Sequence, residues 1–204
     1  MADVAERPMP WTVADFDAFL ESSADAKNFE LIEGYPCRMG NPTETHEQIV
    51  ANIGAPLKLH MDGRGCRTYQ GGMRVQATGS ASDENKFRPD ILVRCGERSN
   101  QTFVTDPVII VETLSPSTMD TDRGVKLKFY KNLPSLAHIL LVYADQMHVE
   151  HYSRAGDLWK CDVLTQPLQQ LDLSAVAFTC TLHTVYFDIA FDLTLKPHKT
   201  PGES

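Results

Sequence analysis

Two carboxylates stand in segments that read as buried strand. Asp90 lies in Arg88-Pro89-Asp90-Ile91-Leu92-Val93, and Glu112 lies in Val108-Ile109-Ile110-Val111-Glu112-Thr113-Leu114. Both runs are β-branched and apolar, and an uncompensated negative charge there costs several kcal/mol. A positive partner is therefore expected: a divalent metal ion, or a lysine or arginine from the segment that follows. Both belong to the chemistry of phosphodiester cleavage. The structural alternative is a strand-end carboxylate that caps a turn or pairs with Arg88 or Arg94.

Further along, Asp122, Lys126 and Tyr130 fall at i, i+4 and i+8, so a helix carries them on one face within about 40° of drift. That helix begins soon after Glu112, and its face can turn back onto the end of the Glu112 strand. Its start, Ser115-Pro116-Ser117-Thr118, is a turn that could also meet an anion. Ser117 with Asp120 forms a capping-box pattern, so Ser117 is a cap first and a phosphate contact second. Alone, Lys126 is ordinarily a solvated helix residue, and its role rests on the register with Asp122 and Tyr130. Tyr130 reads as core or as support behind the site. Lys128 is the fallback, though it points some 200° away from Lys126.

Two other residues are candidates. Glu30 and Glu33 flank a hairpin turn at Gly34; either is surface strand charge or an extra acidic group near a metal, and Glu30 is the choice of the two. His46 lies approximately on the face of a helix carrying Ile49, Ile53 and Leu57, as a hydrogen-bonded packing residue or a site residue. The remaining histidines share no ligand spacing, and His148 and His151 in a strand point to opposite faces, which argues against a histidine metal site. Asp15, Asp17 and Asp25 read as solvated charge.

The elements that must position these groups follow from periodicity and turn chemistry. Thr12 can cap a short helix through Phe16, Phe19 and Leu20. A hairpin follows over Phe29 to Met39, then a helix from Thr43 to about Met61, in which Pro56 is a candidate kink. Strand patterns occupy Cys66 to Gln70, Met73 to Gln76, Pro89 to Arg94 and Val108 to Leu114, with loops between. After the helix that ends at Asn132-Leu133-Pro134 come strand patterns at His138 to Tyr143, His148 to Tyr152, Leu158 to Leu164 and Leu168 to Leu173, and a last short helix over Thr184 to Ala190. This order describes an α/β sheet with helices packed on it. A flexible N-terminus over 1–10, one domain over 11–195 and a flexible tail over 196–204 are expected.

Composition bounds the partners. The 204 residues are 42% hydrophobic, enough for one sizeable core. A net charge of −8 argues against a surface that simply coats nucleic acid. Any such contact needs a local basic patch, for which Arg123, Lys126, Lys128 and Lys131 are available, with Arg64, Arg67 and Arg74 as further members. No apolar run approaches the roughly 20 residues of a membrane helix, and the start lacks a signal design, which places the chain in the cytoplasm. The five cysteines are odd in number and scattered, so reduced, mostly buried thiols are expected.

Taken together, several motifs carry a family resemblance. They are Phe29-Glu30-Leu31-Ile32-Glu33-Gly34, His46, Pro89-Asp90, Val111 through Thr118, Asp122-Arg123-Gly124-Val125-Lys126 with Tyr130, and His138-Ile139-Leu140-Leu141-Val142. In order and spacing they closely resemble the Uma family of bacterial proteins described as putative restriction endonucleases, a branch of the PD-(D/E)xK nuclease superfamily. The resemblance covers roughly residues 11 to 190. It implies a restriction-endonuclease-like core, a central mixed sheet flanked by helices with extra antiparallel strands.

It also implies Mg²⁺-dependent hydrolysis of phosphodiester bonds, with Mn²⁺ as a substitute and DNA preferred over RNA. Asp90 and Glu112 match the acidic metal ligands, and the Thr113 carbonyl completes the set. The superfamily lysine belongs two places after Glu112, where this chain has Leu114. In Uma-like sequences the lysine comes from the following helix, and Lys126 occupies that position. A homodimer is expected, because cutting a duplex takes two sites facing two strands. A catalytically silent nucleic-acid-binding or protein-interaction module on the same fold is the alternative, and hydrolysis of another phosphate-containing substrate is a third reading.

Overall fold

Threonine caps open the first two helices. Thr12 Oγ1 accepts from the Asp15 N–H at 3.2 Å while the Asp15 carboxylate takes the Thr12 N–H at 2.9 Å, a capping box that starts α1 (Val13–Ser22). Asp15 is thus a cap rather than free charge. A 3-10 turn (Ala24–Asn28) leads into a hairpin of β1 (Phe29–Ile32) and β2 (Tyr35–Arg38). Gly34 turns it at φ +81°, and a Cβ there would come within 2.3 Å of Pro10 Cβ, so both the backbone and the close approach require glycine. Thr43 Oγ1 accepts from the His46 N–H to start α2 (Glu44–Met61), which runs through Pro56 unbroken.

The structure, a computed structural model, describes residues 9–77, 83–115 and 119–191. After α2 come β3 (Cys66–Gln70), β4 (Arg74–Val75), β5 (Ile91–Cys95), β6 (Phe103–Val104) and β7 (Pro107–Leu114). The chain then forms α3 (Met119–Thr121), a π-helical turn (Asp122–Lys126) and α4 (Leu127–Lys131). Strands β8 (His138–Tyr143), β9 (Val149–Ala155), β10 (Leu158–Leu164), β11 (Gln170–Leu173) and β12 (Phe178–Thr181) precede α5 (Leu182–Val185).

Six strands form the central mixed sheet in the order β10-β9-β8-β7-β5-β3. Only β7 and β8 pair in parallel, across the connection that carries α3 and α4; the other neighbours are antiparallel. Alternation along β7 and β8 splits the core in two. Val111, Leu140 and Val142 pack against Ile49, Ile53 and Leu57 of α2, with α5 and the β11–β12 hairpin on the same side. On the other side Ile110, Leu114, Ile139 and Leu141 pack with Leu127, Tyr130, Leu133 and Leu136. Glu112 shares the parity of Ile110 and Leu114, so it faces this second core.

Several expectations are corrected. Cys66 and Cys95 are directly opposed on β3 and β5 and are joined by a disulfide, with Cα atoms 3.9 Å apart; reduced thiols are therefore the wrong reading for this pair. Of the other three, Cys161 is exposed. The pairing escapes sequence inspection because the partners are 29 positions apart and only sheet register brings them together. Asp17 is not solvated charge: it holds the buried Lys86 ammonium at 2.6 Å. The last helix is shorter and earlier than expected, because the Thr181 hydroxyl caps it by accepting from the Thr184 N–H. Ser117 and most of both expected flexible ends lie outside the described residues.

Candidate active site

Asp90 sits in the bend just before β5, at the point where the β5–β7 ladder begins with Ile91 opposite Val111. Beyond that pair the Thr113 N–H has no β5 partner, and it donates to Asp90 Oδ2 at 2.7 Å. His46, in the first turn of α2, places Nε2 3.2 Å from the same oxygen. Burial pulls the His46 imidazole down, but the hydrogen bond and charge of Asp90 outweigh it and leave its pKa raised. Arg88 and Arg94 do not meet the carboxylates as the alternative reading required. Arg88 donates its guanidinium to the Lys27 carbonyl, and Arg94 pairs with Asp106 at 2.5 Å.

Lys126 is the centre of the second half of the site. Its ammonium lies 3.0 Å from Glu30 Oε2, 3.0 Å from Asp122 Oδ1 and 3.4 Å from Glu112 Oε1. Three N–H donors thus face three carboxylates that come from β1, the π-helical turn and β7. The Tyr130 hydroxyl donates to Glu112 Oε1 at 2.6 Å from behind. Glu30 is fixed in turn by the Arg88 N–H, which donates to its other oxygen at 2.6 Å. Glu30, Glu112, Asp122, Lys126 and Tyr130 are all buried.

Charge drives the electrostatics of this cluster. Burial disfavours the Lys126 cation, yet Glu112, Glu30 and Asp122 together hold its pKa well above the usual ammonium range. Burial pushes Glu112 up, Lys126 pulls it down, and Asp122, Asp90 and Glu30 push it up again, for a net value well above the usual carboxylate range. Tyr130 is likewise raised, by burial and then by the charge of Glu112, and stays a hydrogen-bond donor. Four carboxylates therefore face one ammonium and one imidazole.

The structure brings these sequence candidates together in two groups, Asp90 with Thr113 and His46, and Glu112 with Lys126, Glu30, Asp122 and Tyr130. Lys128 is exposed, pointing away as helix geometry requires. The basic patch does not form as expected. Arg123 pairs with Glu150, Arg74 is buried on the Lys27 and Phe29 carbonyls, Arg67 donates to the Gly96 carbonyl, and Lys131 lies 4.1 Å over the Tyr152 ring. Sequence reasoning passes over Glu150. Its one signal is the alternation in His148-Val149-Glu150-His151-Tyr152, which puts Glu150 and Tyr152 on one face. Among the described residues, no three His, Cys, Asp or Glu side chains are already arranged around a metal position.

A central mixed sheet flanked by helices is also the fold of a protein described as a putative nuclease. The chain belongs to the Uma2 family, described as "Putative restriction endonuclease", which it matches over residues 13–183. It shares its fold with a crystal structure of a protein from Anabaena variabilis described as a putative nuclease belonging to DUF820. The TM-score is 0.68 at 19% identity, covering 87% of this chain and 97% of that one. Two uncharacterised proteins of Synechocystis are also similar. One, slr1290, is 27% identical over 164 residues, covering 79% of this chain and 85% of the relative. The other, sll1609, is 30% identical over 141 residues, covering 67% and 77%. No helix among the described residues is long and apolar enough to cross a membrane.

Proposed function

We propose that this protein is a Mg²⁺-dependent endonuclease that hydrolyses phosphodiester bonds, with DNA as the preferred nucleic acid and a homodimer as the cutting unit. The observation that carries the reading is the reach of Lys126 into the carboxylates around Glu112, from a helix rather than from the strand. A lysine buried in this way is unexplained by packing alone, because burial of charge costs several kcal/mol even when paired.

The donor set suits a hard cation. Asp90, Glu112 and the Thr113 carbonyl offer oxygen only, and Mg²⁺ takes few carboxylates and keeps waters. A strand residue's N–H and C=O point to the same neighbour, so the Thr113 carbonyl lies on the Asp90 side of β7. The excess of carboxylates over cations favours added positive charge. When bound, the ion would lower the pKa of a water and offset charge on the phosphate.

The chain's own groups do the rest. Lys126 stays an ammonium, so it orients and stabilises the charge growing on the phosphate and does not take a proton. Tyr130 holds Glu112 Oε1, Glu30 and Asp122 hold the ammonium in place, and Thr113 and His46 fix Asp90. His46 is the titratable group beside Asp90 and is available to move a proton there.

One observation favours the silent-module reading: most of the basic side chains named above are committed to internal partners, and the net charge is −8. Cleavage of supercoiled plasmid separates the two. Nicking or linearisation that needs Mg²⁺ or Mn²⁺, stops with excess chelator and disappears in Asp90→Ala and Lys126→Ala is the expected result. Identical behaviour of wild type and both variants across metals would sink the nuclease reading.

A further inference from the structure

Lys126 belongs to a turn that is anchored twice. Glu112 on β7 is opposite Leu141 on β8, and Leu141 is opposite Glu150 on β9, so the two carboxylates stand in one row of the sheet on one face. They lie two strands apart, about 10 Å at ordinary strand spacing. Both are buried. The π-helical turn (Asp122–Lys126) spans them: Lys126 reaches Glu112, and Arg123 reaches Glu150 with Nη2 at 2.9 Å from Oε1.

The second anchor is fully satisfied. Arg123 Nη1 donates to the Tyr143 hydroxyl at 2.6 Å, and that hydroxyl donates to Glu150 Oε1 at 2.9 Å. Tyr152 donates to the other oxygen, Oε2, at 2.8 Å. The guanidinium is a rigid planar fork that presents its donors to two acceptors in fixed geometry, whereas a lysine ammonium is a point charge on a flexible stem. The turn itself is loosely determined from within. It runs continuously with α3 and α4 from Met119 to Lys131, and the Leu127 N–H reaches back to the Asp122 carbonyl in the wide π pattern. An isolated helix of this length is marginal in water, so tertiary contacts must fix its height and roll on the sheet. A shift of about 1 Å at a reacting group costs on the order of a hundredfold in rate.

We infer that Glu150, with Arg123 as its ligand and Tyr143 and Tyr152 as supports, is a positioning residue: it locks the π-helical turn on the sheet so that the Lys126 ammonium meets Glu112, Glu30 and Asp122. The inference rests on the nuclease reading for its effect on rate, but its geometric content stands apart from it.

The test follows the Lys126 signal by ¹³C-lysine NMR in the full-length protein, assigned by its loss in Lys126→Ala, and compares Glu150→Gln, Arg123→Lys and the milder Tyr152→Phe. Circular dichroism melts establish that each variant is folded. The expected result is a displaced Lys126 signal in Glu150→Gln and Arg123→Lys and a smaller displacement in Tyr152→Phe. For an active wild type, kcat falls about ten- to hundredfold at unchanged KM, and neither substitution adds to Lys126→Ala. A merely structural clamp predicts losses that add in full to Lys126→Ala. An unmoved Lys126 signal in the folded variants, or full additivity, overturns the inference. If Glu150→Gln and Arg123→Lys fail to fold, Tyr152→Phe decides it. A wild type that cleaves nothing defeats the nuclease reading alone, because the NMR displacement still tests the positioning.

Discussion

On one face of the sheet Glu30, Glu112 and Asp122 crowd a single ammonium, while on the other face His138 Nδ1 and His151 Nε2 stand 2.9 Å apart with no ion pair between them. Leu140 of β8 is opposite His151 of β9, so this pair faces the α2 core. The Ala175 N–H donates to His138 Nε2, which leaves the proton on Nδ1 to be donated to His151. A cavity of about 400 Å³ lined by both histidines, Lys160, Asp162 and Asp172 opens beside them. Both clusters are buried and polar, but the histidines complete each other as neutral groups whereas the carboxylates remain in excess over their cations. Burial of polar groups alone therefore does not mark a site; unmatched charge held in place does.

The largest expected effect tests the charged side. Lys126→Ala or Asp90→Ala is expected to lower cleavage a hundredfold to a thousandfold, about 3 to 4 kcal/mol of transition-state stabilisation, measured as kcat/KM on plasmid. His138→Ala on the neutral side is expected to cost about 1 to 3 kcal/mol of stability by leaving the Ala175 N–H and His151 without their partner, with kcat/KM unchanged. Urea melts and plasmid cleavage measure the two quantities. If His138→Ala reduced cleavage as Lys126→Ala does, the contrast between the faces would collapse. Tyr130→Phe removes one hydrogen bond to a carboxylate and is expected to cost about 1.5 to 3 kcal/mol, read in stability and rate together.

The smallest effect is the most diagnostic, since His46 beside Asp90 and the His138–His151 pair are shifted in opposite directions. His46 is raised despite burial, because Asp90 favours its charged form, whereas burial and then the nearby His151 lower His138 to about 4; burial also lowers His151. Between the ordinary histidine value and about 4 the unfolded chain binds a proton that His138 does not, so its contribution to stability falls as pH drops through that window, and the lowered His151 acts in the same sense. His46 works the other way: its contribution is present below the ordinary value and is lost as pH rises through its raised folded value. Histidine NMR titrations, with His46→Gln for assignment, check the order. A His46 that titrates below His138 would reverse the comparison.

Much of the site is legible in the sequence. Asp90, Glu112, Lys126 and Tyr130 stand out because each lies in a strong local pattern, and short-range periodicity decides which face a residue takes. Glu30 and His46 are weaker candidates, since a hairpin glutamate and a helix-start histidine have ordinary roles; only packing of β1 and α2 over the sheet brings them to Lys126 and Asp90. The basic patch is misread for the same reason in reverse. Arg123, Arg74 and Arg67 look free in sequence, but each meets an acceptor from a distant strand, turn or loop.

By itself the sequence determined the α/β class, the order of the main strands and helices without β6 and β12, and the candidate carboxylates and lysine, because these follow from interactions within a few residues. Tertiary structure alone decided that Glu150 stands in one row with Glu112, that Cys66 opposes Cys95, that His138 meets His151, and that a π-helical turn aims Lys126 and Arg123 at two different strands. Strand register and crossover geometry set those meetings, and both are fixed by the packing of segments far apart in the chain rather than by any local preference.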